Sequence, residues 1–260
     1  MNAFTGGPRI EQVAAKLDDA AVRATAIAQS APEDALSLAD AYAVQKALIE
    51  RRLGRGAARI GMKMGFTSRA KMQQMGLSDL IWGRLTSDML IEDGGVDEIH
   101  HVHPRVEPEV CFLLKRELAG SVTPLQAMTA VEAVAPALEI IDSRYENFRF
   151  SLPDVVADNA SSSGLVVGAW QRPDTDLANL GLVLSFGGRP VEIGSTAAIL
   201  GHPLRSLVAA ARLVAEAGET LPAGSLVMAG GATAAVALAP GVSVTLEMQR
   251  LGRVQFAMPA

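Results

Sequence analysis

The chain has a single cysteine, Cys111, in 260 residues. That excludes an internal disulfide and a cysteine-based zinc site, and it suits a reducing compartment. No uninterrupted apolar run reaches the roughly 18 residues of a membrane span. Met1 to Pro8 lacks the basic-then-apolar order of a signal peptide, so a soluble, cytoplasmic protein with no membrane partner is expected. Positive charge is also short: 23 basic against 28 acidic residues leave a net charge of −5. No overall field exists to attract nucleic acid or an anionic surface. Glycine-rich dinucleotide and phosphate-loop patterns, the GxSxG elbow and internal repeats are all missing. What remains is 49% hydrophobic and 20% charged, the composition of an ordinary globular protein with one large domain, or one plus a small appendage.

The periodicity changes along the chain. Ile10, Val13, Ala14, Leu17, Ala21, Ala24 and Ile27 recur at helical steps, and Pro32 is expected to end that helix. A second helix is predicted from Ser37, whose spacing to Asp40 suits an N-cap, with Leu38, Tyr42, Gln45, Leu48, Ile49 and Leu53 on one face. From Arg59 to Phe66 the repeat becomes two, which predicts a strand carrying Lys63 between Gly61 and Gly65. A short helix is expected over Ser68 to Met75. Strands are then predicted at Val106–Leu114, Ala137–Asp142, Leu165–Trp170, Leu180–Phe186, Leu226–Ala229, Val242–Met248 and Val254–Met258, the last two joined as a hairpin through Arg250 to Arg253. One helix interrupts them, opening near Pro203 and stopping at Gly218. Helices first and strands later predict an α+β fold, not alternating units around a parallel sheet.

The most informative segment is HPRVEPEVCFLL, residues 103–114. Glu107 and Glu109 interrupt an apolar strand, and a spacing of two places both on one face, roughly 6–7 Å apart. Burying both uncompensated would cost several kcal/mol, which calls for a positive group between them. Pro108 donates no ladder hydrogen bond, so an edge or bulge is expected there. Glu139 is a third acid in an apolar run, PALEIID. Three oxygen ligands from two strands, with no other cysteine at hand, suit a hard cation such as Mg²⁺ or Mn²⁺. The competing reading leaves the glutamates on a solvated strand face.

Lys63 could equally be a solvated strand residue, or a ligand-facing one with open backbone at its flanking glycines. The loop DNASSSG, residues 158–164, concentrates hydroxyl and backbone donors suited to a carboxylate, as does the small-residue loop at Gly230 to Thr233; ordinary turns have the same composition. His100, His101 and His103 raise a zinc reading, but adjacent histidines on an extended segment point to opposite faces and no second cluster completes a tetrahedral site. Cys111 reads as a small buried hydrophobe, and His202 as a helix start.

At these residues the chain resembles a known group, the bacterial 4-oxalocrotonate (2-oxo-3-hexenedioate) decarboxylases of meta-cleavage aromatic catabolism. They are related to the 2-hydroxypenta-2,4-dienoate hydratases, within the wider fumarylacetoacetate hydrolase-like family. The likeness runs along nearly the whole chain and is strongest in GMKMGFTSRAKMQQMGLSDLIWGRLTSDML (61–90), HPRVEPEV (103–110), EIIDSRYENFRFSLPDVVADNASSSG (139–164) and GGATAAVALAPG (230–241). The resemblance implies a mixed β roll, as a catalytic domain over residues 76–260, preceded by a helical region with one strand over 1–75. It implies metal ligation by Glu107, Glu109 and Glu139, an active-site Lys63, and a substrate neighbourhood of Asp79, Ser161, Ser162 and Thr233. The implied activity is a carboxy-lyase dependent on Mg²⁺ or Mn²⁺ that forms 2-hydroxypenta-2,4-dienoate and CO₂ from a small 2-oxo dicarboxylate. A hydratase partner and self-association are implied with it. The hydratase activity itself and a non-catalytic subunit are the alternatives. One departure is Ala237, where the decarboxylase pattern has proline; losing that fixed φ is expected to loosen the loop after Gly231.

Overall fold

Local capping starts the helical region. In the computed structural model, which describes residues 7–68 and 80–260, the Ser37 hydroxyl accepts the Asp40 N–H at 3.1 Å and opens α2, Leu38–Gly54. The preceding α1 spans Pro8–Val22. It stops short of the predicted Ile27, because Ala24 turns to a φ of 47° and Ile27 leaves to pair with Tyr145. Ile27 donates to the Arg144 carbonyl at 2.8 Å and accepts from the Glu146 N–H at 2.9 Å. A long-range bridge thus overrides the helical period. Pro32 opens a 3₁₀ turn instead of ending a helix, and Leu38, expected on the apolar face, is exposed in the first turn of α2.

Buried polar groups tie these helices to one another and to the sheet. Asp18 of α1 accepts from Arg51 at 2.8 Å and from Arg55 at 2.6 and 2.7 Å. Burial pushes the Asp18 carboxyl up, but the hydrogen bonds from Arg55 and Arg51 outweigh it and hold its pKa below the ordinary value. Gln45 of α2 is fully buried. Its Nε2 donates to the Trp82 and Val156 carbonyls at 3.0 and 2.8 Å, and its Oε1 accepts from Arg84 at 2.6 Å.

Among the described residues, eight strands form one mixed sheet in the order β2 (Ile81–Thr86), β1 (Arg59–Gly65), β9 (Leu226–Met228), β4 (Arg105–Leu114), β5 (Val131–Ile141), β6 (Ser162–Val167) and β3 (Leu90–Ile91), with β10 (Val236–Ala237) also on β4. The pairs β1/β9 and β3/β6 are parallel. A second, antiparallel sheet runs β12 (Gly252–Ala257), β11 (Ser243–Met248), β7 (Gly181–Phe186), β8 (Arg189–Ser195). The predicted hairpin joins β11 to β12, with Arg250 and Gly252 at positive φ. Short helices α3 (Pro124–Thr129) and α4 (Leu152–Ala157) were not foreseen, nor were strands β2, β3, β10 and β8, the last with its apolar Val191 and Ile193 exposed. The predicted helix over Ser68 to Met75 lies outside the described residues beyond Ser68.

The two sheets and α5 (Pro203–Glu216) share one core, in which Val110, Phe112, Leu138, Leu184, Leu207, Leu246 and Phe256 are buried. The stretch Thr196–Glu216 is long and apolar enough to qualify as a membrane span by composition. Leu207, Ala210, Ala211 and Val214 have no exposed surface, however, so in this fold it serves as a core helix. Strand alternation that sends Val110 and Phe112 into this core turns Glu107, Glu109 and Cys111 to the opposite face.

The edge expected at Pro108 is not found. β4 pairs with β5 along its whole length, and with β9 and β10 on its other side. The interruption lies in the neighbour: between β9 and β10 the chain runs as a loop whose Ala229 and Ala232 N–H groups donate to the Val110 and Pro108 carbonyls at 3.0 and 2.8 Å. Proline is tolerated in this central strand because its missing donor faces a loop instead of a ladder.

Replacing Gln45 by alanine should lower the free energy of unfolding by about 2–4 kcal/mol, since buried carbonyls and Arg84 lose their partner. Urea denaturation checks this; a loss below about 0.5 kcal/mol would show that the network does not hold α2 to the sheet.

Candidate metal centre

Register brings the three glutamates together. Glu107 of β4 lies directly opposite Glu139 of β5, and Glu109 lies opposite Ala137. One carboxylate oxygen from each of Glu107, Glu109 and Glu139 lies within 4.8 Å of the others. Glu109 and Glu139 are fully buried and Glu107 is half-buried. The solvated-face reading therefore does not hold for Glu109 or Glu139.

Compensation for the two fully buried carboxylates, Glu109 and Glu139, is limited. Lys63, also buried, projects from β1 with its Nζ 3.2 Å from Glu139. The Gly230 N–H donates to Glu109 Oε2 at 2.7 Å. Glu109 Oε1 has no hydrogen-bond partner among the described residues. Burial raises the Glu109 pKa well above the usual glutamate value, and repulsion from Glu139 and Glu107 adds to it. Burial also raises Glu139, against the opposing pull of Lys63. Three convergent carboxylates and an orphaned buried oxygen, with no histidine or cysteine in the group among the described residues, make a cradle suited to a hard divalent cation.

Glycine is required where the β9–β10 loop crosses this cradle. Gly230 has a φ of 104°, and a Cβ there would collide with the Thr67 side chain. At Gly231 a Cβ would lie 2.9 Å from the Glu107 carboxylate. The glycines beside Lys63 serve packing, contrary to the open backbone expected. A Cβ at Gly61 would overlap the Leu226 carbonyl, and one at Gly65 would come 2.8 Å from Ile81. Beneath the carboxylates, Cys111 packs with Leu85, Met89, Ala137, Leu165 and Met228, and burial drives its thiol pKa upward.

The serine loop is a strained turn. Asn159, Ala160 and Ser161 have φ values of 51°, 51° and 59°, a run of left-handed residues without glycine. Such strain persists only where surroundings impose it. Here Asp158 is ion-paired with Arg144, and the Asn159 amide bonds both the N–H and the carbonyl of Arg84 at 2.7 and 2.8 Å. Burial raises the Asp158 pKa to about 6 despite Arg144. Ser161 lines the cavity with Lys63 and Glu107, and its hydroxyl has no partner among the described residues. Ser162 is buried near Glu139 and does not line the cavity, and its hydroxyl has no hydrogen-bond partner among the described residues. Thr233 does not line the cavity: its hydroxyl donates to the Ala234 carbonyl at 3.0 Å and its methyl faces Gly194 of β8. Asp79 lies outside the described residues. Ala237, despite lacking the proline ring, pairs with Arg105 in β10.

The histidine cluster resolves into an ion pair. His101 Nε2 lies 2.7 Å from Asp97, and its Nδ1 lies 3.1 Å from the Ser163 hydroxyl and 3.8 Å from Asp142. Burial alone would lower its pKa, but Asp142 and Asp97 raise it to about 9. Asp142 also accepts the Val102 and His103 N–H groups at 2.9 and 2.8 Å, so this network fixes the chain entering β4 against the end of β5.

Sequence reasoning missed the far wall of the cavity. Arg105, Phe148 and Phe150 line it, with the Arg105 guanidinium carbon 4.4 Å from the Phe148 ring centroid. A signal for Arg105 was available, since it precedes Glu107 by two residues on the same strand face. Phe148 falls in the segment 139–164 that carries the family resemblance, but its place in the wall depends on another left-handed pair, Asn147 and Phe148, with φ of 57° and 55°.

Comparison with known proteins matches this architecture. The family model described as fumarylacetoacetate (FAA) hydrolase C-terminal fits residues 68–258. A 4-oxalocrotonate decarboxylase from a Pseudomonas species is 63% identical over 250 residues, covering 96% of this chain and 98% of that one. A 2-keto-4-pentenoate hydratase from Paraburkholderia xenovorans LB400 is 36% identical, covering 85% and 83%. Among solved structures, 4-oxalocrotonate decarboxylase from Pseudomonas putida G7, complexed with magnesium and adipate, superposes with a TM-score of 0.93 at 39% identity, over 99% of this chain and 100% of that one.

The raised carboxyl groups predict a pH signature. A metal-free folded chain retains protons on Glu109 and Glu139 that the unfolded chain has already released. That stability is present below the ordinary glutamate value of 4.5 and is lost as pH rises through the elevated folded values. The metal-free melting temperature should therefore fall between about pH 5 and about pH 8, and Mg²⁺ should raise it most at the upper end. A Mg²⁺ effect equal at both pH values would contradict the cluster as described.

Proposed function

The chain belongs to the fumarylacetoacetate hydrolase family, and from that premise we propose that it decarboxylates 4-oxalocrotonate (2-oxo-3-hexenedioate) to 2-hydroxypenta-2,4-dienoate and CO₂ in aromatic catabolism. The observation that carries this reading is the 63% identity to a decarboxylase over nearly the full length of both chains, against 36% to the hydratase. Glu107, Glu109 and Glu139 would hold Mg²⁺ or Mn²⁺, with Lys63 as the catalytic residue beside them. When bound, the ion supplies Lewis acidity toward the 1-carboxylate and 2-oxo group of the substrate.

The chemistry sets what the remaining residues do. Breaking the C5–C6 bond releases CO₂ and leaves an electron pair on the chain. That pair shifts through the alkene, making the C4–C5 and C2–C3 double bonds and leaving negative charge on the 2-oxo oxygen, which a proton then neutralises. Lys63, fixed by its ion pair with Glu139, offers a preorganised positive charge where that oxygen develops. Ser161, whose hydroxyl is unengaged at the cavity wall, would donate to the bound acid, while Ser162 acts behind Glu139. The apolar side chains of Phe148, Phe150 and Val155 keep water from the reacting carbons. A hydratase that consumes the dienol product is the partner this reading proposes, alongside self-association and a cytoplasmic location.

Purified, metal-stripped protein is to be incubated with 2-oxo-3-hexenedioate with and without Mg²⁺ or Mn²⁺, following CO₂ and the ultraviolet spectrum. Metal-dependent CO₂ is expected, abolished in Glu109→Gln and reduced roughly 10²–10³-fold in Lys63→Ala. Absence of CO₂ from folded, metal-loaded protein would overturn the proposal. Formation of 4-hydroxy-2-oxopentanoate from 2-hydroxypentadienoate would then favour the hydratase, and inactivity in both assays a non-catalytic subunit.

A further inference from the structure

We infer that Arg105, shelved on Phe148, is the specificity-determining residue that recognises the second carboxylate of a dicarboxylic 2-oxo acid; the inference rests on the decarboxylase reading and names how that site tells diacids from monoacids. Three observations converge on it. Arg105 lines the same cavity as Lys63, Glu107 and Ser161. Among the described residues its guanidinium has neither a hydrogen bond nor an ion pair, and makes only the 4.4 Å ring contact with Phe148. The two buried arginines, by contrast, are engaged: Arg84 by Gln45 and Glu219, Arg144 by Asp158. An unspent arginine in a cavity wall retains its five donors for a ligand, in a fork that fits a carboxylate.

The charge balance points the same way. Lys63 is ion-paired with Glu139, so its charge is already committed to the glutamate cluster. Arg105 sits on the glutamate face of β4, two residues before Glu107, and reaches the cavity from the side lined by Phe148. The ring has three neighbours: His103 lies 4.6 Å and Phe150 6.4 Å away, centroid to centroid, and the Arg105 guanidinium carbon lies 4.4 Å from its centroid. Asn147 and Phe148, both at positive φ, set the place of that ring, against which the guanidinium packs as a cation over an aromatic face. Because the carboxylate that Arg105 holds is the one that leaves, the contact stabilises the bound ground state at least as much as the transition state. Its removal should therefore raise KM and leave kcat nearly unchanged.

The test compares two ligands of equal chain length on Mg²⁺-loaded protein by titration calorimetry, 2-oxoadipate and 2-oxohexanoate. Neither has the alkene that carries electrons away, so neither is consumed. The intact protein should prefer the diacid, and Arg105→Gln should weaken the diacid roughly 10- to 100-fold while leaving the monoacid within about twofold. Arg105→Lys should recover only part of the preference, and Phe148→Leu should lose part of it. In Arg105→Gln, KM for 2-oxo-3-hexenedioate should rise by the same factor as the diacid affinity falls. Equal losses for both ligands, or no loss for either, would overturn the assignment. If Arg105→Gln does not fold, the lysine and Phe148 variants carry the same comparison, and an unchanged diacid preference in both would overturn it. Failure of both ligands to bind the intact protein would instead remove the metal-site reading beneath it.

Discussion

Mutual repulsion among three carboxylates in one largely buried pocket is the constraint on which the rest of the structure depends. Glu109 and Glu139 have no exposed surface; Lys63 pairs with Glu139, while Glu109 is met by the Gly230 N–H and keeps one oxygen without a partner among the described residues. Such an arrangement costs several kcal/mol without a further cation. Much of the fold holds it in place. β4 and β5 fix the glutamate register, β1 carries Lys63 to Glu139, and the β9–β10 loop passes close enough to donate to Glu109 because it has glycine at positions 230 and 231. The second sheet and α5 bury the opposite face of β4, so the strand cannot turn its glutamates outward without exposing Val110 and Phe112.

How much of this was legible follows from the range of the interactions. The Ser37 cap, the hairpin at Arg250 to Gly252 and the α+β order depend on near neighbours and could be read directly. The glutamates stood out because charge inside an apolar run is costly, and period-two spacing placed Glu107 and Glu109 on one face. Glu139 could be nominated on the same grounds, but its position opposite Glu107 is a matter of register. What could not be read was set at long range. Ile27 leaves its helix to pair with Tyr145, Pro108 sits in a central strand because its neighbour is interrupted, and His101 is taken up by Asp97 and Asp142. Gly61 and Gly65 looked like openings and are close packing contacts.

The site separates a shared task from a selective one. Lys63 and Glu107 line the cavity, and Glu109 and Glu139 converge on Glu107 as a charged cluster suited to a hard cation. The wall built from two left-handed turns, one ending at Phe148 and one at Ser161, is where the chain spends backbone strain. Strain of that kind, about 1–3 kcal/mol per residue, is retained where position matters more than stability. Family membership follows from the match over residues 68–258 and from the relatives; the choice between dicarboxylic and monocarboxylic acids is what we propose for the wall.

The central claim is that the three glutamates converge on one cation. Electron paramagnetic resonance of Mn²⁺ titrated into metal-stripped protein tests it most directly, because free Mn²⁺ gives a sharp signal that is lost on binding. The account predicts saturation at about one Mn²⁺ per chain, with that binding lost in the Glu107→Gln, Glu109→Gln double variant while its circular dichroism is unchanged. Equal Mn²⁺ binding by the double variant would contradict it.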